Sequence, residues 1–249
     1  MSEEKPAAES DTVSLGDEKR TVEILSQSIL GLWDVVNELT RLRPTRRERF
    51  RVTIFGSARI PADHWVYGAV RDLAAELTRM GCAIVTGGGP GLMRAANEGA
   101  ASAGPPTPGQ SVGIRVHLPF EQETNPFVSE VFEHRAFFSR LHHFVLVSDA
   151  FIVVPGGIGT VLELMMVWQL LQVRQLDRVP LILVGPMWPE LVRWARSFLL
   201  RPEFPLASPA DIDLPRCVDT ATEAIALVRT RHEEWLVETG ARPLSAPPA

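Results

Sequence analysis

Three turns rich in small residues are candidates for holding an anion: Phe55-Gly56-Ser57-Ala58, Thr86-Gly87-Gly88-Gly89-Pro90-Gly91 and Pro155-Gly156-Gly157-Ile158-Gly159-Thr160. Each follows a short apolar run, and the second and third lead straight into stretches of helical periodicity. Glycine lets backbone N–H groups approach a phosphate without Cβ obstruction, and a helix start adds partial positive charge. Ordinary strand-to-helix turns share this composition, so one such turn argues little. Two that converge at the carboxyl end of one sheet argue for anion binding. Neither fits G-x-G-x-x-G, because Leu92 and Leu162 stand where the last glycine would be. The pattern favours a ligand with one phosphate and a base over a dinucleotide. On this reading Ser57, Gly88, Gly89, Gly156, Gly157, Gly159 and Thr160 line the binding site.

Two side chains near these turns suit glycosidic chemistry. Glu163 lies one turn beyond the third cradle, where a carboxylate would face the sugar of a held nucleotide and stabilise positive charge growing at C1′. Thr160-x-x-Glu163 is equally the pattern of a capping box, in which the glutamate folds back to the threonine N–H. Spacing alone leaves both readings open. Arg140, in Ala136-Phe-Phe-Ser-Arg-Leu-His-His-Phe144, would grip phosphate bidentately or polarise a departing base, unless it is a plain surface arginine. His142 and His143 are adjacent helix positions pointing apart, and no cysteine or acid completes a metal set. Asp149 caps or turns the chain as readily as it would act as a base.

The elements that must position these groups follow from hydrophobic period. Strands are expected at Val52–Ser57, Ala83–Thr86, Ser111–Leu118, Ala150–Val154, Leu181–Val184 and Arg216–Val218. Helices are expected at Val66–Met80, Gly91–Ser102, Ala136–Val147, Thr160–Val173, Trp188–Leu200 and from Thr222 to about Glu238. This alternation predicts an α/β, Rossmann-like, doubly wound parallel sheet with helices on both faces. An additional N-terminal helix over 22–42 carries Ile24, Leu25, Ile29, Leu32, Trp33, Val36 and Leu39, and ends before Pro44. Its wide apolar face should pack on the main domain or a partner chain. The expected division is a disordered tail at 1–20, one nucleotide-binding domain at 21–240, and a loose proline-rich tail at 241–249. Ala103–Gln110 reads as a surface loop and Pro119–Ser129 as a polar crossover.

Composition removes several function classes. The 249 residues carry a formal charge of −5, so no global basic field favours nucleic acid or an anionic membrane. Six arginines between Arg41 and Arg51 read as an exposed connector. The two cysteines, Cys82 and Cys217, form no CxxC pair and read as reduced thiols of a cytoplasmic protein. The apolar stretch Val161–Val173 is broken by Glu163, Gln169 and Gln172 and suits a core helix better than a membrane span. The only lysines are Lys5 and Lys19, so nothing from residue 20 onward can supply a Walker A lysine or a pyridoxal Schiff base.

The strings PGGxGTxxE at 155–163 and GGGPGLM at 87–93, with FGSAR, NEGA and LPFEQ between residues 22 and 236, resemble the LOG (Lonely Guy) family of phosphoribohydrolases. Members are often labelled lysine decarboxylases. The resemblance implies that Arg140 and Glu163 form a catalytic pair, that Gly156, Gly157, Gly159 and Thr160 hold a 5′-phosphate, and that Glu121 contacts substrate. It further implies a homodimer with the pocket near the subunit interface, needing no cofactor or metal. Two positions depart from the pattern: Leu141 stands for the usual lysine after the arginine, and Met166 for a second acid of the plant-like members. The expected activity is hydrolysis of the N-glycosidic bond of a purine or N6-modified (cytokinin) nucleoside 5′-monophosphate such as AMP. The alternative is a non-catalytic carrier of a nucleotide or of the molybdenum cofactor on the same fold.

Overall fold

The computed structural model describes residues 16–39, 49–105, 107–116 and 123–240, with the backbone alone over 33–39. The chain divides into two units, residues 1–44 and 45–249, each described by itself. In the first, helix α1 runs Glu18–Leu39. Three residues expected in the tail, Glu18 to Arg20, are therefore helical. Asp17 explains the earlier start, because its Oδ1 accepts from the Arg20 N–H at 3.2 Å and so satisfies a first-turn amide. Residues 1–15 of the predicted tail, most of the arginine-rich connector, Glu121 and the C-terminal run lie outside the described residues.

In the second unit, β1 (Arg51–Phe55), β2 (Ala83–Thr86), β3 (Ser111–Val116), β4 (Glu130–His134), β5 (Ala150–Val153), β6 (Leu181–Val184) and β7 (Pro215–Val218) make one sheet. Its order is β4-β3-β2-β1-β5-β6-β7, and every pairing is parallel. Val52 of β1 stands between Ile84 of β2 and Ala150 of β5, which fixes the register at the centre. Between the strands run α2 (Trp65–Arg79), α3 (Leu92–Ser102), α4 (Phe137–Val147), α5 (Ile158–Gln172), α6 (Met187–Leu199), the single turn α7 (Pro209–Ile212) and, last, α8 (Ala221–Thr239).

Alternate strand residues enter opposite cores, as the pleat requires. Val52 and Ile54 pack with Leu73, Leu77, Ala95, Val228 and Trp235 under α2, α3 and α8. Phe55, Val85, Phe151 and Val153 pack with Phe144, Leu164, Val167 and Trp188 under α4, α5 and α6. The doubly wound architecture is thus as expected. From β1 the chain winds one way through β2 to β4, then returns beside β1 and winds the other way from β5. The carboxyl ends of β1 and β5 therefore flank the topological switch point, where open α/β sheets bind ligands.

Two elements escape the periodicity. Strand β4 reads Glu-Val-Phe-Glu-His, alternates between half-buried and exposed, and lies at the sheet edge, where charged residues discourage pairing with other chains. Helix α7 is a four-residue turn held by a capping box between Ser208 and Asp211.

Candidate active site

All three glycine turns sit at the carboxyl ends of β1, β2 and β5, and Ser57 joins them. Its N–H donates to the Pro155 carbonyl at 3.0 Å, and its own carbonyl accepts from the Leu92 N–H at 2.8 Å. Gly91, at φ +64°, opens α3 with no side-chain cap. A Cβ there would strike the Ser57–Ala58 backbone, so this close approach requires glycine. Gly157 opens α5, again with no side-chain cap. Neither helix start is capped by a side chain, but the Leu92 amide of α3 is already donated to Ser57, which makes the start of α5 the better place for an anion.

The turn over 87–91 is pinned from behind by a buried polar network. The Asn125 N–H donates to the Gly88 carbonyl at 3.0 Å, and its Nδ2 donates both to the Gly89 carbonyl and to Asn97 Oδ1 at 3.0 Å. Thr86 Oγ1 donates to Asn97 Oδ1 at 2.7 Å and accepts from the Gly88 N–H at 2.9 Å. Asn97 Nδ2 reaches Ser111 Oγ at 2.9 Å. Gly88 and Gly89 are therefore held by their carbonyls, and the Gly88 amide is already used inside the turn.

Arg140 and Glu163 meet across this cleft. Arg140 Nη1 lies 3.3 Å from Glu163 Oε1, and each side chain is only 11% exposed. The guanidinium is fixed on several sides: Nε donates to the Ile114 carbonyl at 2.9 Å, and the rings of Phe144 and Phe137 lie 5.2 and 5.7 Å from Cζ. It also crowds the second turn, since a Cβ on Gly87 would fall 2.5 Å from Nη2. Arg140 thus spans from the turn after β2 to the helix after β5. Burial pushes the Glu163 carboxyl up from its ordinary 4.5 to about 7, while Arg140 pulls the other way. A carboxylate poised at neutral pH beside a fixed cation and two uncapped helix starts can stabilise a cationic transition state next to a held anion.

A family model described as possible lysine decarboxylase matches residues 93–228, more than half of the chain. The chain belongs to this family. No sequence among curated proteins matches it. The fold of this possible lysine decarboxylase family member is that of solved structures of low identity. The Moco carrier protein from Chlamydomonas reinhardtii is 21% identical over 75% of this chain and 99% of its own, with a TM-score of 0.55. The molybdenum cofactor binding protein from the phototrophic bacterium Rippkaea orientalis is 19% identical over 75% and 98%, with a TM-score of 0.54. The family's descriptor fits the sequence poorly: of the two lysines, Lys19 lies on α1, and residues 45–249 have none.

The capping-box alternative for Glu163 is not what this member of the family forms. Because Gly157 opens the helix, Thr160 is already inside its first turn, and the Thr160 side chain fills the space that a Cβ on Gly156 would need. Glu163 turns to Arg140 instead. His143 meets a partner the sequence did not suggest, His134 at the end of β4, with Nε2 of one 2.9 Å from Nδ1 of the other. Burial and the neighbouring positive charges hold the imidazole of His143 down at about 4 and lower that of His134 as well. Among the described residues no three His, Cys, Asp or Glu gather closely enough to hold a metal, and no helix is long and apolar enough to cross a membrane. Asn97, the first residue of the NEGA string, and Asn125, within the polar crossover, are given no role by the motifs themselves. The Asn125-Pro126 dipeptide is a turn signal that marks one of them.

Proposed function

We propose that this chain hydrolyses the N-glycosidic bond of a purine or N6-modified purine nucleoside 5′-monophosphate, as its LOG-type motifs imply. The observation that carries the reading is the buried Arg140–Glu163 pair, 3.3 Å apart beside the glycine turns. The 5′-phosphate rests on the amides opening α5, from Gly157 to Thr160, with Ser57 at its flank. Held there, the substrate points C1′ toward Glu163. The C1′–N bond breaks with its electron pair leaving on the base, and the Glu163 carboxylate stabilises the oxocarbenium-like sugar. Water adds at C1′ and a proton passes to the base, giving free base and ribose 5-phosphate. Arg140 holds the carboxylate in place and assists the phosphate or the leaving base. The substrate is captured by these local groups against a net charge of −5, which also disfavours nucleic acid. The setting we infer is cytoplasmic and the working form a homodimer.

Purified protein incubated with AMP and its N6-prenylated analogue should release free base, read by chromatography. Glu163→Gln should bind the nucleotide yet turn over at least about a hundredfold more slowly. Base release by Glu163→Gln at the parental rate would refute the assignment. A second reading, a non-catalytic carrier, is favoured by one feature: Leu141 replaces a cation and is buried at 7% exposure on α4, so that position offers the ligand no charge. A carrier would bind nucleotide or molybdenum cofactor and release no base from any member of a nucleoside monophosphate panel.

A further inference from the structure

The apolar residues of α1 include Val22, Leu25, Ile29, Leu32, Val36 and Leu39, separated by three, four, three, four and three positions. From Val22 to Leu39 that spacing is a heptad seam with β-branched residues at a (22, 29, 36) and leucine at d (25, 32, 39). Glu18, one heptad before Leu25, puts a carboxyl at the d position of the helix's first residue. A 3.5-residue period keeps one stripe facing a partner helix along its whole length. The β-branched a with leucine d combination selects two parallel strands over three or four. The four seam residues whose side chains are described are all more than half exposed: Val22 60%, Leu25 56%, Ile29 67% and Leu32 65%.

The flanking positions point to an identical partner. Thr21 and Ser28 at g and Ser26 at e are uncharged, and the acidic residues Glu23, Asp34 and Glu38 occupy b, f and c, away from the seam. From Val22 onward two copies in register therefore meet without like charges opposed, and only the Glu18 pair at the first turn sets like charge against like. Eight described seam side chains across a pair would remove roughly 500–1,000 Å² of apolar surface from water, at roughly 60–120 Å² each. The same spacing continues in the sequence through positions 36 and 39, and a stable interface starts at about 1,200 Å².

We propose that α1 pairs with α1 of a second copy of this chain as a parallel, in-register two-stranded coiled coil. The inference rests on the seam alone and stands whether or not the enzymatic reading does. The test uses the full-length chain carrying Cys217→Ser, which removes the exposed thiol, while Cys82 stays fully buried. In this background Leu25→Cys, at d, should form an interchain disulfide under mild oxidation. Its dimer band on a non-reducing gel should exceed that of Gln27→Cys, at f, by at least tenfold. Adding Ile29→Asp to Leu25→Cys should abolish the band while the main melting transition stays in place. Equal crosslinking of the two cysteine variants would overturn the proposal. So would its absence in Leu25→Cys, as expected if α1 folds onto its own chain, or its persistence with Ile29→Asp.

Discussion

Glu163 is a carboxylic acid placed where its ionised form is costly, and the cost can be read in two ways. With its pKa raised from 4.5 to about 7, chemistry that needs the carboxylate should switch on as pH rises through neutrality. The kcat/KM profile for base release should therefore show an acid limb near pH 7. A limb at 4–5 would mean that another group carries the reaction. Folding feels the same shift with the opposite sign. Between pH 4.5 and 7 the unfolded chain ionises this carboxyl and the folded chain does not, so stability falls as pH rises through that window. A shift of this size corresponds to about 3 kcal/mol above pH 7, with the attraction of Arg140 already included. Glu163→Gln, which imitates the protonated acid, should consequently melt higher than the parent at pH 8 and close to it at pH 4. A Glu163→Gln variant that melts lower at pH 8 would show that the carboxylate is held for structure. Inactivity joined to greater stability is the signature of a group kept for catalysis.

The loops between strand and helix separate glycines required by packing from glycines required by something outside the chain. A Cβ on Gly91 or Gly156 would meet protein atoms, whereas on Gly157 or Gly159 it would meet nothing within 4 Å. Gly159 lies inside α5, where alanine is preferred to glycine by about 1 kcal/mol. Gly157→Ala and Gly159→Ala should therefore leave melting unchanged or raised, and should weaken nucleotide binding at least about tenfold if a phosphate sits against these amides. Unaltered affinity in both would move the phosphate elsewhere. The sheet that carries these loops was legible because its central strands are continuous apolar runs bounded by glycine. Strand β4 was not, since an edge strand of sequence Glu-Val-Phe-Glu-His lacks that signal. Nor did spacing settle Glu163: the same Thr-x-x-Glu pattern at 220–223 is a true capping box, with the Glu223 N–H donating to Thr220 Oγ1 at 3.2 Å. The difference lies upstream. Helix α8 begins just after Thr220, but the glycines before Thr160 let α5 begin three residues earlier than the matching position, at Ile158, turning Glu163 inward to Arg140. The arginine's reach to the Ile114 carbonyl depends on α4 packing against β3, which lies three places from β5 in the sheet, and no local pattern reveals that.

At the scale of the whole molecule, α5 is apolar on both sides. Leu164, Val167 and Trp168 face the core, while Ile158 (88% exposed), Leu162, Met165 and Val173 face outward. A helix apolar all round belongs in an interior, and a second copy covering the outer side would provide one. Ile158 and Leu162 stand on the same turns as Gly157, Gly159 and Thr160, so that copy would reach the rim of the phosphate cradle. The α1 seam supplies a separate surface, which makes the two contacts separable by mutation. Leu162→Glu places a charge in the α5 contact, and Ile29→Asp places one in the α1 seam. By sedimentation equilibrium each single variant should still self-associate through the remaining contact, and only the double variant should be a monomer. Turnover should divide differently, falling at least about tenfold in Leu162→Glu and staying near parental in Ile29→Asp, because only the α5 contact borders the cleft. Two outcomes would break the scheme. A monomeric single variant would leave one interface for both helices, and full activity in a monomeric double variant would show that the cleft is complete within one chain.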